Sequence, residues 1–158
     1  MLRELTYLFF LSFGFLLANA QPNVNELRSA VGQLLSKNLQ HSKIKDSTAV
    51  YGAALLIDAT VAKGKPLVKF QFNNYEVESF FKELTALERF DYTSLMKKRK
   101  SAKFIYHIHI TVTDSTYNPT IIDIENAEQA VVKLLAQAAG ERESLGSLMI
   151  KLDKKVYH

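Results

Sequence analysis

The sequence predicts an α+β protein, with a small antiparallel β-sheet of about three strands packed by helices and a helical C-terminal tail. Two segments alternate apolar and polar residues at period two, a third is a mostly apolar run of strand length, and three others place apolar residues at helical spacing. The order is helix, two strands, helix, strand and helical tail, and such a grouping of antiparallel strands with covering helices is typical of the α+β class. The composition, 47% hydrophobic and 23% charged over 158 residues, is that of an ordinary globular protein.

The clearest predicted strand runs from Lys103 to Thr113. Its even-numbered residues from Phe104 to Val112 are all apolar or aromatic, whereas its odd-numbered residues include two histidines and two threonines. This alternation predicts one face against the core and one wetter face. We expect this strand to close the sheet, and, if it lies at the edge, to offer the first surface to test for a partner.

A hairpin is predicted before this strand. Ala49 to Ala59 is a mostly apolar run of strand length, and Leu67 to Phe72 alternates between apolar and polar residues. The connection between them contains Gly64 and Pro66, which are turn residues. Two such runs joined by a short glycine-containing loop indicate a β-hairpin.

Three helices are predicted, over Asn23 to Gln40, Tyr75 to Phe90 and Glu125 to Ala139. The second helix has a predicted buried stripe made of Val77, Phe80, Phe81, Leu84 and Leu87. Residues 121–124 fit either a short strand or the lead-in to the third helix. Residues 141–158 are ambiguous, because their apolar residues fit both a helix stripe and, over Leu148 to Val156, an edge strand.

The N-terminal residues have the pattern of a secretory signal peptide. An apolar run from Leu5 to Leu17 is followed by Ala18-Asn19-Ala20, an A-x-A cleavage signal. We therefore predict cleavage after Ala20, a single domain over residues 21–140 and a tail over residues 141–158. An uncleaved anchor is the alternative, but the apolar run is shorter than the roughly 20 residues of a spanning helix.

The absence of cysteine limits the kinds of reactive and metal sites that the chain can form, and it bears on the compartment in which the protein is found. With no cysteine in the chain, disulfides, thiolate zinc sites and cysteine nucleophiles are excluded. Small extracellular domains of eukaryotes are usually rich in disulfides. The signal peptide and the lack of cysteine together favour a periplasmic or secreted protein that no longer spans a membrane after cleavage.

One run of cations stands out in a mildly basic chain. The net charge is +4, which is too small and too dispersed to predict a nucleic-acid partner. The local cluster consists of Lys97, Lys98, Arg99, Lys100 and Lys103. Such a cluster can bind a phosphate, an anionic lipid headgroup or an acidic partner. The alternative is a solvated loop whose charges protect the following strand from aggregation.

His107 and His109 are the candidate metal ligands. Residues two apart in a strand share a face, so both imidazoles can approach one ion. A zinc site needs three or four ligands, and His41, His158, Asp58 and Asp114 are the available partners, none at motif spacing. The alternative is two histidines on the wetter face of a strand. No other cofactor is predicted.

The order helix, hairpin, helix, strand resembles that of the TonB C-terminal domain family. The resemblance covers residues 27–113, with Gly64 in the hairpin turn and residues 104–112 as the final alternating strand. The aromatic residue and Pro-Ala pair that precede this strand in the family are absent here, as are its proline-rich spacer and uncleaved anchor. The resemblance implies a protein-binding role at the cell envelope.

No catalytic motif accompanies these features. The sequence has no G-x-S-x-G, no H-E-x-x-H and no glycine-rich phosphate loop. The first hypothesis is therefore a non-catalytic α+β module that binds another protein of the envelope through a sheet edge or a groove. The alternatives are a small metal-dependent hydrolase built around His107 and His109, and a carrier of a small apolar ligand in a phenylalanine-lined pocket.

Overall fold

The computed structural model describes residues 24–114 and 121–154. The helices are α1 (Val24–Asn38), α2 (Tyr75–Ser79), α3 (Thr93–Met96) and α4 (Ile121–Ala139), and the strands are β1 (Ala49–Ala62), β2 (Lys65–Phe72), β3 (Ser101–Thr113) and β4 (Glu143–Asp153). The four strands form one mixed sheet in the order β2-β1-β3-β4. Helices and a largely antiparallel sheet confirm the α+β class.

The predicted hairpin is confirmed. β1 and β2 pair antiparallel, and their last pair, Ala62 with Lys65, leaves only Lys63 and Gly64 in the turn. Both turn residues have positive φ, 51° and 76°. Two positive φ values are the mark of a type I′ turn, whose twist matches that of the flanking strands.

β3 lies inside the sheet and not at its edge. It pairs antiparallel with β1 from Ala49↔Val112 to Thr60↔Ser101, and parallel with β4 on its other side. The expectation that β3 closes the sheet is therefore wrong. Its partner on the outer side is the C-terminal segment, which sequence periodicity left open between helix and strand.

The C-terminal tail is a strand, contrary to the predicted helical tail. β4 pairs parallel with β3 after the α4 crossover, with one register shift near Gly146. Met149 distinguishes the two interpretations, because a helical stripe would bury it whereas it is 65% exposed. Leu148, Ile150 and Leu152 alternate with it and pack against the core, as the period of a strand requires.

The predicted helix from Tyr75 to Phe90 is broken in two. α2 ends at Ser79, and a 3-10 turn covers Thr85–Arg89. Between them the backbone pairs with the end of α1, since Gln40 N–H donates to the Phe80 carbonyl and Lys82 N–H donates to the Asn38 carbonyl. The predicted buried stripe is nevertheless buried in full. Tertiary hydrogen bonds replace those of a continuous helix without exposing its apolar residues.

The main core lies between α1 and one face of the sheet, the α1 face. It includes Leu27, Val31 and Leu35 of α1 and the even-numbered residues of β3. Tyr106 fills the space between α1 and β4, and its hydroxyl donates to the Ser147 carbonyl at 3.2 Å. A Cβ on Gly32 would lie 2.6 Å from the Tyr106 hydroxyl oxygen. Gly32 therefore lowers helix propensity but lets α1 pack closely over this ring.

The opposite face, the α4 face, has a second and smaller core. Leu135 of α4 packs with Ala54 and Ile105, while Val131 lies directly over Gly52. α4 packs mainly against β1. It therefore leaves the side chains of β4 on this face, such as Met149, exposed.

The predicted signal peptide at residues 1–20, its cleavage site and the predicted turn after Asp114 lie outside the described residues. Within residues 24–114 and 121–154, no helix is both long enough and apolar enough to cross a membrane.

Candidate functional site

His107 and His109 lie on the α4 face of β3, opposite Ala54 and Gly52 of β1. The predicted pairing on one face is therefore present, but the face is not the wet one that the sequence indicated. His109 is 8% exposed, and the Nε2 atoms of both rings are buried without a hydrogen-bond partner among the described residues. Burial lowers the pKa of His107, because the charged imidazolium loses hydration.

No third metal ligand joins the pair among the described side chains. The searched part of the chain contains no group of three or more histidines and carboxylates that could hold a metal ion. His41 is exposed in a separate 3-10 turn, and Asp58 is paired with Arg142 at 2.7 Å. His158 lies outside the described residues. Zinc binding at His107 and His109 remains a prediction, which thermal denaturation with and without zinc would test.

Within the predicted basic run, Arg99 differs from the lysines because its guanidinium is held by described partners. Its Nη1 pairs with Glu143 Oε1 at 2.5 Å, and its Nε donates to the Met96 carbonyl at 3.0 Å. The hydrogen bond from Arg99 and the charges of Arg99 and Lys97 lower the pKa of Glu143. Arg99 therefore joins the end of α3 to the beginning of β4, and the neighbouring lysines supply the remaining positive charge.

Six lysines gather at one end of the sheet, which we call the basic end. They are Lys63, Lys65, Lys97, Lys98, Lys100 and Lys103. Val61 N–H donates to the Lys100 carbonyl at 2.9 Å, and this bond brings the β1–β2 turn beside the connection that enters β3. None of the six forms an ion pair with a described carboxylate. Sequence reasoning found Lys97, Lys98, Lys100 and Lys103, but it missed the two lysines of the hairpin.

The free edge of β4 is a second feature that the sequence did not place. β4 pairs with β3 on one side, and no described strand pairs with its other side. From Ser144 to Ile150 its sequence has no charged residue and no proline. The strand interpretation of the tail was the available signal, but periodicity alone could not say which strand it joins.

The predicted phenylalanine-lined pocket is largely core. Phe80, Phe81 and Phe104 are buried, with Phe81 tilted against Phe72 at a centroid distance of 5.6 Å. A separate open cleft of about 440 Å³ lies between α2 and α4, lined by polar and aliphatic residues together with Tyr75. The hypothesis of an apolar-ligand carrier requires a pocket lined by phenylalanines. This cleft is instead lined by polar and aliphatic residues and Tyr75.

Comparison with known proteins returns no relative for this chain: no family model, no curated protein and no solved structure matches it.

Proposed function

We propose that this chain is a non-catalytic binding module of the cell envelope, periplasmic or secreted, that engages another protein by adding a strand to the free edge of β4. A TonB-like role in protein–protein contact is the form of this proposal that the sequence resemblance favours. The observation that carries it is the outer edge of β4, which no described strand covers and which has no lysine or proline before Lys151.

The length of the edge supports strand addition. After the register shift near Gly146, β4 pairs regularly with β3 from Gly146 to Asp153. In a parallel pair, alternate residues of an edge strand direct their N–H and C=O groups away from the sheet. Eight regular residues therefore offer a row of main-chain donors and acceptors to an incoming extended segment.

The two edge strands of the sheet, β2 and β4, differ in the residues that protect an edge against pairing with another strand. β2, at the opposite edge, carries Lys65, Pro66 and Lys69. Lysine and proline are the residues that proteins place on edge strands to prevent unwanted pairing. β4 has no such residue before Lys151. The contrast within one sheet supports the β4 edge over the β2 edge as the site of strand addition.

The side chains of β4 define the chemistry of the partner. On the α1 face, Leu148, Ile150 and Leu152 are only partly buried and form the border of the core. An added strand with apolar residues at period two would extend this border and bury these side chains further. The partner is therefore an extended segment of about eight residues with alternating apolar side chains.

The described side chains favour binding over catalysis. The histidine pair is the group of potential acid–base residues that the sequence predicted, and the Nε2 atoms of both rings are buried away from the surface that a substrate could reach. General acid–base catalysis relies on a positioned group within hydrogen-bond reach of its substrate or orienter. The hydrolase hypothesis therefore has less support than binding through β4.

The test uses an isotope-labelled full chain and a synthetic peptide of alternating isoleucine and threonine, with lysines at its ends for solubility. We expect the peptide to perturb and protect the amides of β4 more than those of β2. The variant S147K/M149K adds two charges to exposed positions of β4 and should abolish binding, since edge charges oppose strand addition.

The matched control is L67K/Q71K, which adds the same two charges to exposed positions of β2 and should bind like the wild type. Protection of β2 in place of β4, or equal binding by both variants, would refute the proposal. Light scattering would detect self-association of the wild type. If S147K/M149K abolished that self-association, the partner at the β4 edge would be a second copy of this chain and not another protein.

A further inference from the structure

We propose that the basic end of the sheet binds the surface of an anionic lipid bilayer, with the tip of the β1–β2 hairpin entering the headgroup region. This site is distinct from the β4 edge and does not depend on the proposed protein partner.

Positive charge is more concentrated at the basic end than the net charge of the whole chain would suggest. The net charge of the protein is +4, yet six lysines without a described carboxylate partner lie on three segments at one end. Two carboxylates near them, Asp58 and Glu143, are already paired with Arg142 and Arg99. The basic end therefore presents uncompensated positive charge to anything that approaches it.

The opposite end of the sheet carries charges of both signs. α2 begins beside the last residues of β2 and carries Glu76 and Glu78, while Lys37, Lys43 and Lys45 are exposed at the end of α1 and in the connection that follows it. Mixed charges of this kind do not form a patch of one sign, whereas the lysines of the basic end do.

The hairpin tip adds apolar surface to the charge. Every residue from Val61 to Leu67 is exposed, and this stretch contains Lys63 and Lys65. Val61 is 36% exposed and Leu67 is 52% exposed, which makes them two of the exposed large hydrophobic residues of the described chain. A soluble phosphate or an acidic peptide needs only the lysines. Apolar side chains that flank lysines at a protruding tip fit a bilayer, where they enter the interface while the charges meet the headgroups.

The backbone at three of the lysines supports a role for the side chains. Lys63, Lys97 and Lys98 have φ values of 51°, 48° and 69°. Residues with a Cβ rarely adopt this region, and glycine or asparagine is preferred in such positions. Lysine therefore occupies three positions where turn geometry alone favours another residue, and all three lie at the basic end.

The experiment measures co-sedimentation of the full chain with vesicles of pure phosphatidylcholine and with vesicles in which about one-third of the lipid is phosphatidylglycerol. We expect binding to the anionic vesicles only, weakening as salt rises from about 0.05 M to about 0.5 M. Reversal of three exposed lysines, K63E/K98E/K100E, should lower the affinity by about tenfold or more.

The matched control is K37E/K43E/K45E, which reverses three exposed lysines near the other end and gives the same net charge. It should keep the wild-type affinity within about twofold, because distant charges are screened. A loss equal to that of K63E/K98E/K100E would show a net-charge effect and overturn the site.

The hairpin variant V61S/L67S keeps every lysine and tests the bilayer specifically. We expect an affinity loss of about fivefold on anionic vesicles and no change in binding to soluble polyphosphate. Equal vesicle binding by V61S/L67S and the wild type, with full displacement by polyphosphate or polyglutamate, would assign the basic end to a soluble polyanion and overturn the lipid proposal. If a reversal variant fails to fold, shown by circular dichroism, V61S/L67S alone still decides between these outcomes.

Discussion

At the scale of single residues, two buried tyrosines differ in what their hydroxyl groups contact. The Tyr106 hydroxyl donates to the Ser147 carbonyl, whereas the Tyr92 hydroxyl is buried and has no hydrogen-bond partner in the part of the chain that the structure describes. Tyr92 also stacks on Phe104 at a centroid distance of 6.1 Å, so its ring contributes to the core. The aromatic ring and the hydroxyl of Tyr92 therefore act on stability in opposite directions.

Replacing each tyrosine by phenylalanine should separate these contributions. Y92F keeps the ring and removes an unsatisfied polar atom, and we expect the free energy of unfolding to rise by about 1 kcal/mol. Y106F loses a hydrogen bond and should lower it by about 1 kcal/mol. Urea denaturation of both variants checks this. Destabilisation by Y92F would indicate that its hydroxyl has a partner.

His107 gives the protein a predictable response to acid. Its folded pKa is lowered from 6.5 by burial, so the unfolded chain takes up its proton at a higher pH than the folded chain does. The stability that results is present above about pH 6.5 and is lost as the pH falls toward the lowered pKa of the folded state.

We therefore expect the urea midpoint of the wild type to fall from pH 8 to about pH 5.5, and this fall to be smaller in H107Q. H41Q is the control, because His41 is exposed in its 3-10 turn. Its profile should follow the wild type. An identical pH dependence of H107Q and the wild type would contradict the assignment to His107.

At the scale of elements, the packing of α4 on the sheet depends on one missing side chain. Gly52 of β1 lies under Val131 of α4, and a Cβ at position 52 would overlap the valine side chain. Close approach of backbones at a glycine is a familiar reason for glycine inside a strand. The position of α4 over β1 is thus set at Gly52.

G52A should therefore destabilise the protein by about 1–3 kcal/mol, because overpacking forces the helix away from the strand. The double variant G52A/V131A, which removes the obstructing methyl groups, should recover part of this loss. Thermal denaturation and amide exchange of α4 measure both. Equal stability of G52A and the wild type would show that α4 shifts without cost.

The partner strand of β4 and the break in the helix after α2 could not be predicted from periodicity. Alternation at period two is the same for a parallel edge strand and an antiparallel one, so the pattern of Leu148, Ile150 and Leu152 could not name β3 as the partner. Helical spacing from Val77 to Leu87 reports which side chains are buried. It does not report that backbone pairing with Asn38 and Gln40 interrupts the helix.

At the scale of the whole molecule, the sequence predicts a precursor and a mature chain. The Ala18-Asn19-Ala20 signal places cleavage before Gln21, three residues ahead of the start of α1 at Val24. We expect secreted protein from a bacterial host to have the mass of residues 21–158. The variant A20W places a large residue at the predicted cleavage position and should leave the precursor uncleaved. Recovery of a chain beginning at Met1 from the wild type would refute the signal peptide.

The sequence by itself determined what depends on neighbouring residues. These features are the helix α1, the β1–β2 hairpin with its glycine turn, the alternation of β3, and the burial of the apolar stripe between Val77 and Leu87. Only the tertiary structure decided that β4 is a parallel edge strand, that the Nε2 atoms of His107 and His109 are buried on the α4 face, and that lysines of two separate turns meet at one end. These features depend on contacts between residues far apart in the chain. Periodicity shows which face of a segment is buried, but the choice of partner strand is a global competition among all faces that need covering.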